Sequence, residues 1–203
     1  MSNTEKIRKA TRRQQKSDIT RDKIYRTAAK MLEKYDFNSI TVRNICEEAN
    51  VSTGTFYHFF GSKENLWTYF LSSGLEEYAV NYKIKYEGDI SEYISEVYEI
   101  YLSYCVDMGI EFLAHYYSGT NKQLSRSYKG ADMRPVSIWI RSGIEEAKKA
   151  GELSDSISTE ELIHDICVLI KGCIFEWCVS EGDFDLIGYS KKLISQHMRG
   201  VLN

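Results

Sequence analysis

Proline occurs once in 203 residues, at Pro135, while apolar side chains recur along most of the chain at three- and four-residue intervals. Proline is the residue that removes an i to i−4 hydrogen bond and breaks a helix, so its near absence leaves long helices uninterrupted. Thirteen glycines and one proline do not furnish the turns that a β-sandwich needs every few residues, and the composition is not that of a low-complexity chain. The reading is an all-α protein. With 43% hydrophobic residues the chain can bury a full core, as one large domain or two small ones.

Five cysteines, Cys46, Cys105, Cys167, Cys173 and Cys178, form no CxxC pair and sit among apolar residues at helical spacing. That is the setting of buried, reduced thiols and not of metal ligands or disulfides. The N-terminus is basic without an apolar core of its own, and no apolar run approaches the ~20 residues of a membrane span, so a soluble, cytoplasmic protein is expected.

The net charge of −3 conceals an asymmetry. Residues 1 to 63 hold thirteen Lys/Arg against seven Asp/Glu, and the remainder holds thirteen against twenty-two. A basic head joined to an acidic body suggests a polyanion-binding module in front of a part that does not bind polyanions.

The head reads as three helices and a turn. In "TRDKIYRTAAKMLEKY", Ile24, Ala28, Met31, Leu32 and Tyr35 fall on one helical face. Thr41 is placed to cap a short helix with Val42, Ile45, Cys46 and Ala49 on its apolar side. Asn50 tolerates the left-handed conformation of a sharp turn, Val51 plugs back, and Ser52 caps "TGTFYHFF". Gly61 ends that helix, and Ser62 caps a fourth that the pattern carries from Lys63 to Tyr86. Two short helices across a tight turn, braced by a longer one, make a helix-turn-helix. Phe56 and Phe59 are assigned to its core and Phe60 to the joint with the fourth helix. Thr53, Gly54, Tyr57 and His58 are left on the opposite side, where a recognition helix meets the major groove.

The run "ITVRNICEEANVSTGTFYHFFGSKENL" resembles the DNA-binding signature of the tetracycline-repressor (TetR) family of transcriptional regulators. The likeness covers residues 20 to about 67, and it departs from the usual pattern at Cys46, where alanine is common, and at Asn50, where glycine is common. It implies a domain order of a basic arm (1–19), a helix-turn-helix domain (20–66) and a ligand-binding and dimerisation domain (67–203). It also implies that Thr41, Arg43, Tyr57 and Lys63 contact phosphates, with Ser52, Thr53, Gly54, Thr55 and His58 at or near base edges. The arm "KIRKATRRQQK" carries six positive charges, from Lys6 to Lys16. It reads either as a solvated tail or as an added phosphate or minor-groove contact.

The body is rich in tyrosine at helical spacing. Buried phenols need partners, so an interior with this many is partly polar, as a ligand cavity would be. The resemblance implies such a cavity, for which Tyr98, Tyr101, Tyr104, Phe112, Tyr116, Trp139 and Phe175 are the candidate lining. Its acidic residues leave a cationic or aromatic effector open. Pro135 is placed in the first turn of a helix that Gly151 stops. Segment 159–179 is apolar nearly all round and 184–202 is amphipathic, so each can bury one side and offer another to a symmetry mate. Ile163, Ile166, Ile170, Ile174, Trp177, Leu193, Ile194 and His197 are the candidates for that four-helix dimer interface.

The expectation is a homodimeric repressor that binds a palindromic double-stranded DNA operator and is released from it by a small-molecule effector, with no cofactor, metal or membrane involved. Control by a protein partner without a small ligand stays open as an alternative. A helical enzyme built on His115 or His164 with Glu111 or Asp165 is disfavoured, because adjacent helical positions such as 164 and 165 do not face each other.

Overall fold

A computed structural model describes residues 3–118 and 136–202, with side chains from Gln15 onward. Among the described residues there are nine α-helices and no strand. The chain divides into two compact units, Met1–Phe70 and Leu71–Asn203.

In the first unit, α1 (Asn3–Leu32) is followed by a 3-10 turn (Phe37–Ser39), α2 (Val42–Glu48), α3 (Thr53–Phe60) and the start of α4 (Lys63–Ala79). Residues 3–19 thus continue α1 as helix and do not form a separate irregular tail. The core is Ile24, Ala28, Ile40, Ile45, Ala49, Phe56 and Leu66, all fully buried, with Trp67 beside them. Each large aliphatic or aromatic side chain withdrawn this way stabilises the fold by roughly 1.5–3 kcal/mol. Tyr35 departs from the expected face and is 57% exposed. The reason is that α1 ends at Leu32 and the amides of Lys34 and Tyr35 fold back onto the Met31 carbonyl, so the helical repeat no longer governs position 35.

Capping fixes the two short helices. The Thr41 hydroxyl accepts from the Asn44 amide at 3.2 Å while the Asn44 side chain accepts from the Thr41 amide at 2.7 Å. Two amides that the helix start would leave without partners are satisfied reciprocally. Ser52 accepts from the Thr55 amide at 3.1 Å, and Ser62 from the Asn65 amide at 3.2 Å. Asn50 carries the turn at φ 49°, and Gly61 ends α3 at φ 73°.

In the second unit, α4 is followed by α5 (Ile90–Met108), α6 (Ile110–Tyr116), α7 (Val136–Lys149), α8 (Thr159–Val179) and α9 (Leu186–Leu202). Helix α5 packs against α7 and α9, and α8 packs against α6, α7 and α9. The fourth helix stops at Ala79, seven residues short of the Tyr86 that its pattern reaches. Val80 and Tyr82 there are exposed, so a further turn would bury little apolar surface, and Tyr86 is drawn instead into a hydrogen bond to the Glu152 carboxylate. Gly109, at φ 82°, divides the tyrosine-rich stretch into α5 and α6. Pro135 lies outside the described residues; the helix expected to open there runs from Val136 to Lys149.

Candidate nucleic-acid interface

Helix α3 is held from beneath by Phe56, fully buried, and Phe60, nearly so, whose rings meet at 5.4 Å. The core pair is therefore i, i+4, and Phe59 is only half-buried, contrary to the pairing of 56 with 59. Side chains at i, i+4 lie about 40° apart around a helix and those at i, i+3 about 60°, so both spacings share a side, and the tilt of α3 decides between them.

The opposite side presents Ser52, Thr53, Gly54, Tyr57 and His58, all exposed, with Thr55 half-buried at the edge. Tyr57 is 53% exposed, with its ring set edge-on against Phe56 at 5.5 Å. A rigid, half-seated ring can hold its hydroxyl toward a phosphate oxygen at little entropic cost. The Ser52 hydroxyl spans 2.9 Å to that of Thr55, which ties two small polar groups to the helix start. Gly54 has open space: a Cβ there would meet only the Ser52 Oγ, at 3.7 Å, an ordinary contact. Among the described residues, none requires a glycine at this helical position.

The cationic candidates are engaged locally. Arg43 is exposed, with its Nε 2.8 Å from the Glu47 carboxylate, a surface pair of small energetic value that a phosphate could replace. The Lys63 ammonium sits 5.0 Å from the centre of the Phe37 ring and 5.8 Å from that of Trp67. Burial against these rings pulls its pKa below the ordinary lysine value, opposed by the Glu64 carboxylate. Thr41, exposed at the start of α2, uses its hydroxyl oxygen as the cap acceptor.

Two residues that the sequence does not single out, Ser17 and Thr20, adjoin this surface together with Lys16 of the basic arm. Lys16, Ser17 and Thr20 of α1 form one open groove with Ser52, Gly54, Thr55, His58 and Phe59.

In the second unit, Tyr98, Tyr101, Tyr104, Phe112 and Tyr116 are buried. Tyr101 and Tyr117 share a hydroxyl-to-hydroxyl hydrogen bond of 2.5 Å, and burial pushes both phenols well above the ordinary tyrosine range, so they remain protonated. Tyr93 donates to the Trp139 carbonyl at 2.8 Å. Phe175 is 53% exposed and so lines no interior, while Trp139 is half-buried. The dimer candidates also need correction. Ile166, Ile170, Ile174 and Ile194 are fully buried within one protomer and Trp177 nearly so, which leaves them no surface for a partner. Ile163, Leu193 and His197 are half-buried. The apolar side chains that α8 leaves exposed are Val168, Phe175 and Val179, with Gly172 between them, and the visible signal was a glycine inside an otherwise apolar helix.

Comparison with known proteins agrees with this geometry. Residues 24–68 match the family model for bacterial regulatory proteins of the tetR family. Residues 24–68 are thus a helix-turn-helix domain of the tetR-family type, at the N-terminal end of an all-helical chain. Among solved structures, a TetR family transcriptional repressor of Thermus thermophilus, FadR, in complex with lauroyl-CoA, is similar with a TM-score of 0.68 and 18% identity, over 90% of this chain and 95% of that one. The transcriptional regulator FadR of Bacillus subtilis, in complex with stearoyl-CoA, gives a TM-score of 0.63 at 16% identity, over 85% and 95%. A TetR transcription regulator of Haloarcula marismortui gives 0.62 at 15%, over 92% and 100%. At such identities the likeness is one of fold. Comparison with curated proteins finds no significant match. No helix among the described residues is long and apolar enough to cross a membrane.

Proposed function

We propose that this chain is a cytoplasmic homodimeric repressor that binds a palindromic operator and leaves it when a small molecule occupies the C-terminal body. The observation that carries the DNA-binding part is the exposed side of α3. Short side chains and a glycine with free space flank a seated tyrosine and a histidine, on a helix whose start is capped and whose back is buried. A duplex groove accounts for that arrangement, since the helix can enter deeply and the tyrosine can reach the backbone. Thr41, Arg43, Tyr57 and Lys63 take phosphates, Arg43 and Lys63 after small side-chain movements, and Ser52 to Thr55 with His58 lie at base edges.

Dimerisation is assigned to the exposed stripe of α8. Val168, Gly172, Phe175 and Val179 follow one another at i, i+4, i+7 and i+11, and a Cβ at Gly172 would meet nothing within 4 Å. A second helix could approach closely there. Two such protomers present recognition helices to half-sites about one helical turn, ~34 Å, or a multiple apart.

The ligand part rests on the buried phenols, above all the Tyr101 and Tyr117 pair, which supplies hydrogen-bonding capacity inside an apolar interior. Long-chain acyl-CoA molecules bound by two structural neighbours make an acyl thioester the first class to test. A ligand preferring a conformer unsuited to DNA by roughly 1–3 kcal/mol weakens operator binding about 5- to 150-fold.

The test is anisotropy of the purified chain on DNA from around its own gene, across a salt series, with Tyr57→Phe and Lys63→Ala beside the wild type. Tight binding to one palindromic segment with a steep salt slope, weakened in the lysine variant, is expected. Weak binding that ignores sequence on every segment would remove this reading.

A further inference from the structure

The two cationic candidates, Arg43 and Lys63, are held in different ways. The Arg43 guanidinium lies against a carboxylate, with its Nε 2.8 Å from Glu47. The Lys63 ammonium lies against rings, 5.0 Å from the centre of Phe37 and 5.8 Å from that of Trp67. Both rings are buried, with centres 5.1 Å apart and planes inclined by 52°. Buried rings in a close-packed interior do not swing away, so the pair is a fixed support. Among the described residues no carboxylate is in ion-pair contact with Lys63, and Glu64 acts on it only through space.

The difference matters to a phosphate. A carboxylate neutralises the cation and occupies its N–H donors, so an incoming phosphate has to displace it. The face of an aromatic ring attracts an ammonium through its quadrupole and leaves the N–H groups for another acceptor. Lys63 is half-buried, so its outer side keeps both charge and donors within reach of an oxygen. Its stem is confined as well. A free lysine loses rotamer freedom when a partner fixes it, and a seated one has lost part of that freedom beforehand.

The two rings come from separate elements. Trp67 follows Lys63 by one turn of α4, at i+4, while Phe37 opens the 3-10 turn that leads to Thr41 and α2. The seat thus ties the start of α4 to the turn before α2, the two places from which phosphate contacts are drawn in the proposal above.

We propose that Phe37 and Trp67 are positioning residues for operator binding, which present the Lys63 ammonium to a phosphate still charged and already oriented. The proposal rests on the DNA-binding reading above. Whatever small movement the ammonium makes toward an oxygen, the stem stays on the rings, and the aromatic pair sets affinity without touching DNA.

The experiment is a double-mutant cycle with the full chain on its operator. Phe37→Leu removes the nearer ring and keeps an apolar side chain. It is measured in the wild type, in Lys63→Ala and in Arg43→Ala, each with log Kd followed against log salt. Circular dichroism melts check the fold, and Phe37→Met takes the place of Phe37→Leu if that variant does not fold. Phe37→Leu is expected to weaken operator binding about three- to tenfold in the wild type, and to the same extent in Arg43→Ala. Its salt slope stays that of the wild type, because the charge remains, whereas Lys63→Ala lowers the slope by about 0.9. In the Lys63→Ala background Phe37→Leu brings no further loss. Nuclear magnetic resonance of the free protein with isotope-labelled lysine reads the seat directly. The Lys63 side-chain protons, assigned by their loss in Lys63→Ala, are expected upfield of the other lysines through the ring currents, and they move back in Phe37→Leu. An equal loss of affinity with and without Lys63 overturns the seat, since it makes Phe37 a packing residue. So does an unchanged affinity of Phe37→Leu, or the absence of the upfield shift. If Lys63→Ala keeps the affinity and slope of a wild type that binds specifically, the seat falls and the DNA-binding reading stands. If the wild type binds no segment specifically, both fall.

Discussion

Three glycines in helices show how one residue type serves different ends at different positions. At Gly143 a Cβ would lie 2.1 Å from the Tyr93 ring, whose hydroxyl is tied to the Trp139 carbonyl. The ring cannot retreat, so Gly143→Ala overpacks the core and is expected to cost about 1–3 kcal/mol, read as a lower urea midpoint at unchanged m. At Gly54 the same methyl fits, and replacing glycine in a helix gains up to about 1 kcal/mol. Gly54→Ala is therefore expected to leave the melting temperature unchanged or raised while operator affinity drops about tenfold or more, equivalent to ~1.4 kcal/mol. A variant that binds the operator as the wild type does would take Gly54 out of the interface. Gly172 has free space as well, and there the expected loss is of dimer and not of fold.

At the scale of elements, α8 has a buried side that holds the fold together and an exposed side to which dimerisation is assigned in the proposal above. Val168→Glu with Phe175→Glu places charge on the exposed stripe, and the expected product is a folded monomer by sedimentation, with helical signal kept and operator affinity abolished. Ile170→Glu puts a charge where exposure is zero and should unfold the chain instead. A double variant that remains dimeric would refute the stripe. Most of the helices are legible in the sequence from an apolar period, and at α2, α3 and α4 from a capping residue as well, since Thr41, Ser52 and Ser62 cap as their types dictate. Orientation is not legible in the same way. A helix such as α8, apolar on nearly every side, does not disclose which side faces inward, so periodicity alone points to Ile166, Ile170 and Ile174 as interface and to Phe175 as interior, the reverse of what the fold makes of them. The tip of the fourth helix is hidden too, because Tyr86 answers to Glu152, sixty-six positions away. The α3 surface is readable because the buried Phe56 fixes its opposite side.

For the whole molecule, the decisive quantity is the coupling between an effector and the operator. A ligand that binds only the folded chain raises its stability by RT ln(1 + [L]/Kd), about 2.7 kcal/mol at a hundredfold excess over Kd. Lauroyl-CoA or stearoyl-CoA should then raise the melting temperature and weaken operator binding, and the operator must weaken acyl-CoA binding by the same factor, because linkage is reciprocal. The Tyr101 and Tyr117 pair provides the check on where the ligand sits. Tyr101→Phe keeps the ring and its packing but removes one hydroxyl from the pair, so it should reduce ligand affinity while leaving operator affinity of the free protein unchanged. If operator affinity falls in that variant without ligand, the phenol pair holds the DNA-competent conformer and is no ligand contact. If neither acyl-CoA shifts the melting curve across saturating concentrations, the acyl class is wrong, and the same reciprocal assay decides among other ligands.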